Sequence, residues 1–102
     1  MPILRFPSTG QEYTAAQLKQ ENVQIPTQVY IVLLNDSDSI GDDYDILMKS
    51  FNSHWGSPWE HNKMFGGNIL SGTLDQPQVA WLLANDSGFI KIIEADSEVG
   101  IA

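Results

Sequence analysis

A run of six apolar residues, Val29 to Leu34, is the strongest structural signal in the chain. The run is too short for an ordinary helix, is rich in β-branched and aromatic residues, and lies between Pro26 and the polar residues that begin at Asn35. Because successive side chains of a strand point to opposite faces, this strand is apolar on both of them. The pattern predicts the central strand of a sheet that is covered on each side.

Apolar residues at spacings of three and four predict one long amphipathic helix after this strand. Ser39, with Asp42 three residues later, predicts its amino-terminal cap, and the helix should continue to about His54. Its apolar stripe consists of Tyr44, Leu47, Met48, Phe51 and Trp55. A later helix should begin after Asp75, with Gln78 at the capping-box position, and end near Asn85. Its inner face is formed by Val79, Leu82 and Leu83, with Trp81 on the other side.

The remaining elements are shorter. Thr14 and Gln17 form a capping-box pattern that predicts a helix over residues 15–22. We expect an edge strand over 2–6 and two short strands within 63–74 that turn at Gly66-Gly67-Asn68, with a turn at Ser71-Gly72 as the alternative. A turn over 85–88, a strand over 89–94 and a frayed acidic tail from Ala95 to Ala102 should follow.

From residue 28 to 95 the predicted order is strand, helix, strand, strand, helix, strand. This order indicates an α+β fold, a ferredoxin-like βαββαβ unit over residues 28–95 preceded by an N-terminal strand and a short helix. A thioredoxin-like three-layer α/β fold is the alternative, and either fold is a single domain over residues 1–102. Both helices of a ferredoxin-like unit lie on one face of the sheet. Either the N-terminal segment or a second copy should therefore cover the other face, which makes a homodimer possible.

Thirteen acidic residues against five basic ones give the chain a net charge of -8. The five cations occur singly along the sequence, which disfavours direct binding to nucleic acid, and the excess negative charge repels anionic membranes. The same charge attracts basic proteins. The chain has no cysteine, no leader pattern at its N-terminus and no long apolar run, so we expect a cytoplasmic protein.

Five of the carboxylates lie within ten residues: Asp36, Asp38, Asp42, Asp43 and Asp45. Asp36, Asp38 and Gly41 match positions 1, 3 and 6 of a calcium-binding loop. The match fails afterwards, because Ile40 and Leu47 occupy positions that require oxygen ligands. The sequence therefore predicts neither a metal nor a cofactor, and helix capping in a solvated loop is the alternative explanation of the cluster.

Enzyme motifs are absent from the sequence. No nucleophile elbow, Walker loop or dinucleotide-binding fingerprint occurs, and His54, Glu60 and His61 match no metal-ligand or catalytic spacing. We expect that the protein is not an enzyme. A small enzyme would need a pocket that brings one of these histidines beside a carboxylate.

Tryptophan is the remaining signal. Trp55 completes the helix stripe, whereas Trp59 and Trp81 have no evident place in a core. Trp59 could instead cover the sheet edge and Trp81 could pack under the N-terminal segment. Large aromatics among polar residues are typical of binding hot spots. We predict an acidic protein-binding module, of an inhibitor or immunity type, that engages a basic partner through the five aspartates, Trp59 and Trp81. A dimeric small-molecule sensor is the alternative.

Overall fold

The computed structural model describes residues 2–64, 67–84 and 88–96. These residues form a mixed α+β structure with a six-stranded sheet and three helices. In chain order the elements are β1 (Ile3–Phe6), β2 (Gln11–Tyr13), α1 (Ala15–Gln20), β3 (Gln28–Leu34), α2 (Ile40–Trp55), β4 (Asn62–Met64), β5 (Ile69–Leu74), α3 (Gln76–Ala84) and β6 (Ile90–Ala95). Gly66, most of the predicted turn over 85–88, and the tail beyond Asp96 lie outside the described residues.

The strand order across the sheet is β2-β1-β6-β3-β5-β4. β3 is a central strand, as its apolar run predicts, and it pairs antiparallel with β5 and β6. β4 pairs antiparallel with β5, and β1 pairs in parallel with β6. The apolar strands β3 and β6 therefore lie side by side in the middle of the sheet.

One face of the sheet, the inner face, is packed under the helices. Leu70, Val32, Ile93 and Leu4 are neighbours across four strands in the pairing register, and all four are fully buried. The helices contribute Leu18, Leu47, Phe51, Val79, Leu82 and Leu83 to the same core cluster. Burying a side chain of this size contributes about 2 kcal/mol. Every buried hydrophobic residue of the described ranges belongs to this one cluster.

The other face, the outer face, carries the alternate residues of each strand. Val29, Ile31 and Leu33 of β3 are partly exposed, whereas Tyr30 and Val32 between them are buried. None of the three described helices lies on this side, because their buried residues belong to the inner cluster. The described elements thus form two layers, and the third layer of the alternative, thioredoxin-like prediction is not among them.

The N-terminal segment extends the sheet and does not cover its outer face. β1 pairs with β6 on one side and with β2 on the other, so the prediction that residues 2–6 form an edge strand is wrong. β2 was not expected, because Gln11-Glu12-Tyr13 is short and mostly polar. Among the described residues, neither the N-terminal segment nor any other element covers the outer face, although we expected the former as one way of doing so.

Side-chain hydrogen bonds confirm two of the three predicted caps. Thr14 accepts a hydrogen bond from the Gln17 N–H, and Asp75 accepts one from the Gln78 N–H. In each cap the glutamine side-chain oxygen accepts a hydrogen bond from the backbone N–H of the N-cap residue. Ser39 is the N-cap residue of α2, as the sequence predicts, but its side chain makes no capping bond, so only the position of this cap is confirmed. Its φ of -111° and ψ of 33° are far from the extended geometry of an N-cap, and its Oγ lies by Ser37 and Asp43.

Candidate functional site

The five aspartates lie on the loop that follows β3 and on the first turns of α2, as the sequence predicts. Asp36, Asp38, Asp42 and Asp45 are exposed, and Asp43 is half-buried. Asp36 accepts a hydrogen bond from Asn68 Nδ2 at 3.3 Å, and Ser39 Oγ lies 3.5 Å from Asp43 Oδ1. No cation of the described residues pairs with any of the five, since the one ion pair in those ranges joins Arg5 to Glu94.

A shallow depression of about 520 Å³ lies beside this loop, lined by Asp36, Ser37, Asp38, Ile40 and Asn68. Two carboxylates and one amide therefore surround a space large enough for the end of a lysine or arginine side chain. The depression holds too few ligands for the calcium loop that the sequence partly matches. Within residues 2–64, 67–84 and 88–96, no three acidic or histidine side chains lie close enough to hold a metal ion.

Trp59 is a core residue and is not available on the surface. Its side chain is 6 % exposed, its Nε1 donates to the Thr73 carbonyl oxygen at 3.0 Å, and its ring packs at 6.2 Å from Phe51. The space for the indole exists because Gly72 on β5 has no side chain. The alternative, that Trp59 covers the sheet edge, therefore describes its position better than an exposed hot spot does.

Trp81 is a half-buried residue of α3, and its ring packs against the carboxyl end of α2. Its ring stacks on His54 with centroids 5.0 Å apart and meets Phe51 edge to face at 5.8 Å, while Trp55 lies 6.4 Å away. Trp81 thus packs against α2, and not under the N-terminal segment as in the alternative prediction. The exposed His54 closes this small aromatic group, which we call the aromatic cluster: Phe51, His54, Trp55 and Trp81.

The outward side of α2 joins the loop over residues 35–39, which we call the acidic loop, to the aromatic cluster. Five exposed residues at spacings of three and four form this stripe, the α2 surface: Asp42, Asp45, Ile46, Lys49 and Ser53. Ile46 is 52 % exposed, which is the largest exposed fraction of any large apolar side chain in the described residues. At 1.5 Å per residue, Asp42 and His54 are about 18 Å apart along the helix. The predicted carboxylates and Trp81 are therefore two ends of one strip.

A second polar group, missed by the sequence reasoning, lies where β4 begins. His61 Nδ1 lies 2.6 Å from the Trp59 carbonyl oxygen, which can only accept, so Nδ1 carries a proton. Nε2 of the neutral ring is then the acceptor for the Tyr44 hydroxyl at 2.8 Å. Lys63 Nζ lies 4.4 Å from the centre of the Tyr44 ring. These contacts tie the segment after α2 back to the helix.

Neither histidine has the surroundings that we expected of a catalytic site. His61 is held by a hydroxyl and a carbonyl, whereas His54 stacks on the Trp81 ring and meets the Trp55 ring edge to face. No described carboxylate is hydrogen-bonded to either ring. In each environment one contact comes from a distant residue, Tyr44 at His61 and Trp81 at His54, and no spacing in the sequence could have indicated it.

None of the described helices is long and apolar enough to cross a lipid bilayer. Comparison of the chain with family models, with curated proteins and with solved structures found no match.

Proposed function

We propose that this protein is a small acidic protein-binding module that engages a basic partner through the acidic loop and the α2 surface. The observation that carries the proposal is the set of exposed carboxylates, Asp36, Asp38, Asp42 and Asp45, which no described cation neutralises. Their concentration at one end of α2 gives the molecule a directed negative field, and such a field accelerates encounter with a positively charged protein.

The depression between Asp36 and Asp38 is the proposed contact for a lysine or arginine side chain of the partner. A guanidinium group can bond two carboxylate oxygens at once, and Asn68 already orients Asp36. Ile46 adds an exposed apolar contact, and Trp81 with His54 forms the far end of the strip. Interfaces combine such an aromatic or aliphatic anchor with a charged rim. Trp59 is not part of the proposed surface, because it is buried.

The test uses a hexalysine peptide as a defined basic probe, titrated into the ¹⁵N-labelled protein and followed by amide chemical shifts. The variant D36N/D38N removes two charges at the depression while keeping side-chain size. The matched control E12Q/E21Q removes two exposed charges outside the proposed surface, that of Glu12 on β2 and that of Glu21 after α1. An exposed ion pair contributes about 0.5 kcal/mol, so the loss of two pairs in D36N/D38N costs about 1 kcal/mol and should weaken binding about fivefold.

The control should change the affinity by less than about twofold, because salt screens the attraction between a peptide bound at the acidic loop and charges that lie outside it. Shifts in the wild type should map to the acidic loop and the first turn of α2. Equal weakening in both variants, or shifts spread evenly over the molecule, would show that only net charge matters and would refute the site.

The finer fold assignment is part of this proposal. A ferredoxin-like unit is supported by the order β6-β3-β5-β4, which is antiparallel throughout and has both of its helices on one face. An inhibitor or immunity-type protein is the form of binding module that we favour, on charge and size. The dimeric sensor stays the second candidate, favoured by one specific observation: the uncovered apolar side chains of the outer face.

A further inference from the structure

The outer face carries an apolar row that crosses five neighbouring strands. The pairing register places its members side by side, and we call them the outer row: Met64 on β4, Ile69 on β5, Leu33 on β3, Ile92 on β6 and Ile3 on β1. Ile31 and Val29 extend the apolar area along β3. Only the strand order brings these residues together, because they come from five separate segments of the chain.

The outer row is exposed where the equivalent inner row is not. Leu70, Val32, Ile93 and Leu4 on the inner face have no exposed area, whereas each outer-row side chain is partly exposed, and Met64 is 43 % exposed. No element among the described residues covers it. A continuous apolar area of this extent on a small protein usually marks an interaction surface.

We propose that the outer face is the interface of a symmetric homodimer, in which a second copy of the chain places its own outer row against this one. An isologous contact requires a surface that is complementary to itself, and apolar side chains satisfy this condition without matched charges. Leu33 lies on the middle one of the five strands. A two-fold axis that runs along β3 through Leu33 therefore gives complete overlap, with Ile92 over Ile69 of the second copy and Ile3 over its Met64.

The charges of the chain do not oppose this contact. On the outer face, Arg5 pairs with Glu94 at 3.7 Å and is also the register neighbour of Glu12. With the axis along β3, Glu94 faces Ser71 of the second copy and Arg5 faces its Asn62, so like charges do not meet. The acidic loop continues into α2, which lies on the inner side of the sheet. The carboxylates of the acidic loop and of the α2 surface are therefore directed away from the proposed interface.

The area of the face agrees with what a weak, specific dimer requires. Five strands at about 4.8 Å spacing and three rows of outward side chains give roughly 24 by 20 Å, or about 500 Å² of flat surface per copy. Two copies would bury about 1,000 Å², before the relief of the side chains is added, which is the lower end of specific interfaces. We therefore expect a dimer with a dissociation constant in the micromolar range.

Sedimentation velocity with the full chain tests the proposal between about 1 µM and about 200 µM, the range over which a micromolar dimer dissociates. The wild type should approach twice its 11.3 kDa chain mass at the upper end. Leu33→Glu places two carboxylates at the axis and should leave a monomer at every concentration. Met64→Glu changes an exposed residue of the edge strand β4 and should weaken the dimer about tenfold or more, so it decides the outcome if Leu33→Glu does not fold.

Ile46→Glu is the matched control, since it makes the same chemical change at an exposed apolar residue of the α2 surface. It should leave the dimer intact. A wild type that stays monomeric at about 200 µM overturns the proposal, as does a dimer that Met64→Glu does not weaken or that is lost with Ile46→Glu. Because the acidic loop and the outer face are separate surfaces, failure of hexalysine binding and failure of dimerisation are distinguishable results.

Discussion

Gly72 is the residue at which one added methyl group should be most damaging. It lies on β5 with its missing side chain on the inner face, opposite Tyr30 in the register. A Cβ atom built there meets the Glu60 carbonyl oxygen, falls 2.8 Å from Trp59 Nε1 and 3.1 Å from the His61 Cα. Two of these three neighbours are backbone atoms, which no side-chain rotation can move away. Gly72→Ala should therefore displace the segment 59–61 or the strand itself.

The expected cost follows from these contacts. Inserting a methyl group into a packed core typically costs 1–3 kcal/mol, and we expect about 3 kcal/mol here because the clash is with main chain. Displacing the segment also lengthens the Trp59 Nε1 bond to the Thr73 oxygen, 3.0 Å in the structure, which is worth about 1 kcal/mol. For a domain of this size, such a loss lowers the melting temperature by more than about 10 °C.

Gly41→Ala is the matched control for this prediction. Gly41 lies in the first turn of α2, and a Cβ atom there has no neighbour within 4 Å. Alanine has the higher helix propensity and restricts the unfolded chain, so this variant should gain about 0.5 kcal/mol. Urea unfolding followed by tryptophan fluorescence measures both variants. If Gly72→Ala unfolds within about 0.5 kcal/mol of the wild type, the packing of Trp59 against β5 is not as described.

Three part-buried hydrogen bonds, one of Tyr30 and two of Gln76, give further predictions. Burial raises the pKa of Tyr30 above 10.0, so the unfolded chain ionises first and the free energy of unfolding should fall as pH rises above that value. The Tyr30→Phe variant should lose this pH dependence, and it should also lose about 1 kcal/mol because the hydrogen bond to the Pro26 oxygen is removed. Identical urea midpoints for the wild type and the variant from about pH 9 to 11 would contradict this prediction. Gln76 accepts a hydrogen bond from the Ile25 N–H and donates one to the Val23 oxygen, so Gln76→Ala should cost about 2 kcal/mol and speed amide exchange at Ile25. Gln76→Glu keeps the acceptor and should protect the Ile25 amide. Equal amide exchange at Ile25 in both variants would rule out the bond.

The elements with strong local signals could be predicted from the sequence. β3 was identified by its unbroken apolar run, and α2 by the three- and four-residue spacing of its stripe. The caps at Thr14 and Asp75 follow from residue type alone. β2 could not be predicted, because three mostly polar residues become a strand only when β1 offers them hydrogen-bonding partners.

Side-chain positions depended on contacts that no local pattern contains. Trp59 is flanked by Pro58 and Glu60, which suggests a loop tip, yet Gly72 from a distant strand leaves the space that receives its ring. Trp81 points away from the inner face of α3, and only the position of α2 determines that it meets His54. The exposure of Ile46 was available from the sequence, since it lies opposite the stripe that contains Leu47 and Phe51.

The position of β6 between β1 and β3 has a consequence for how the chain reaches its native state. Ile3 pairs with Ile92, and Val32 pairs with Ile93, so among the described strands β6 alone joins the β1–β2 pair to β3, β5 and β4. A nascent chain that has not yet produced this strand has an isolated β1–β2 hairpin and a separate three-stranded sheet, and the hairpin alone is marginal in water. Assembly must await synthesis of β6, and it proceeds by long-range pairing, which is slow. Until β6 is in place, the edges of β1 and β3 that it pairs with expose unpaired backbone groups to other chains.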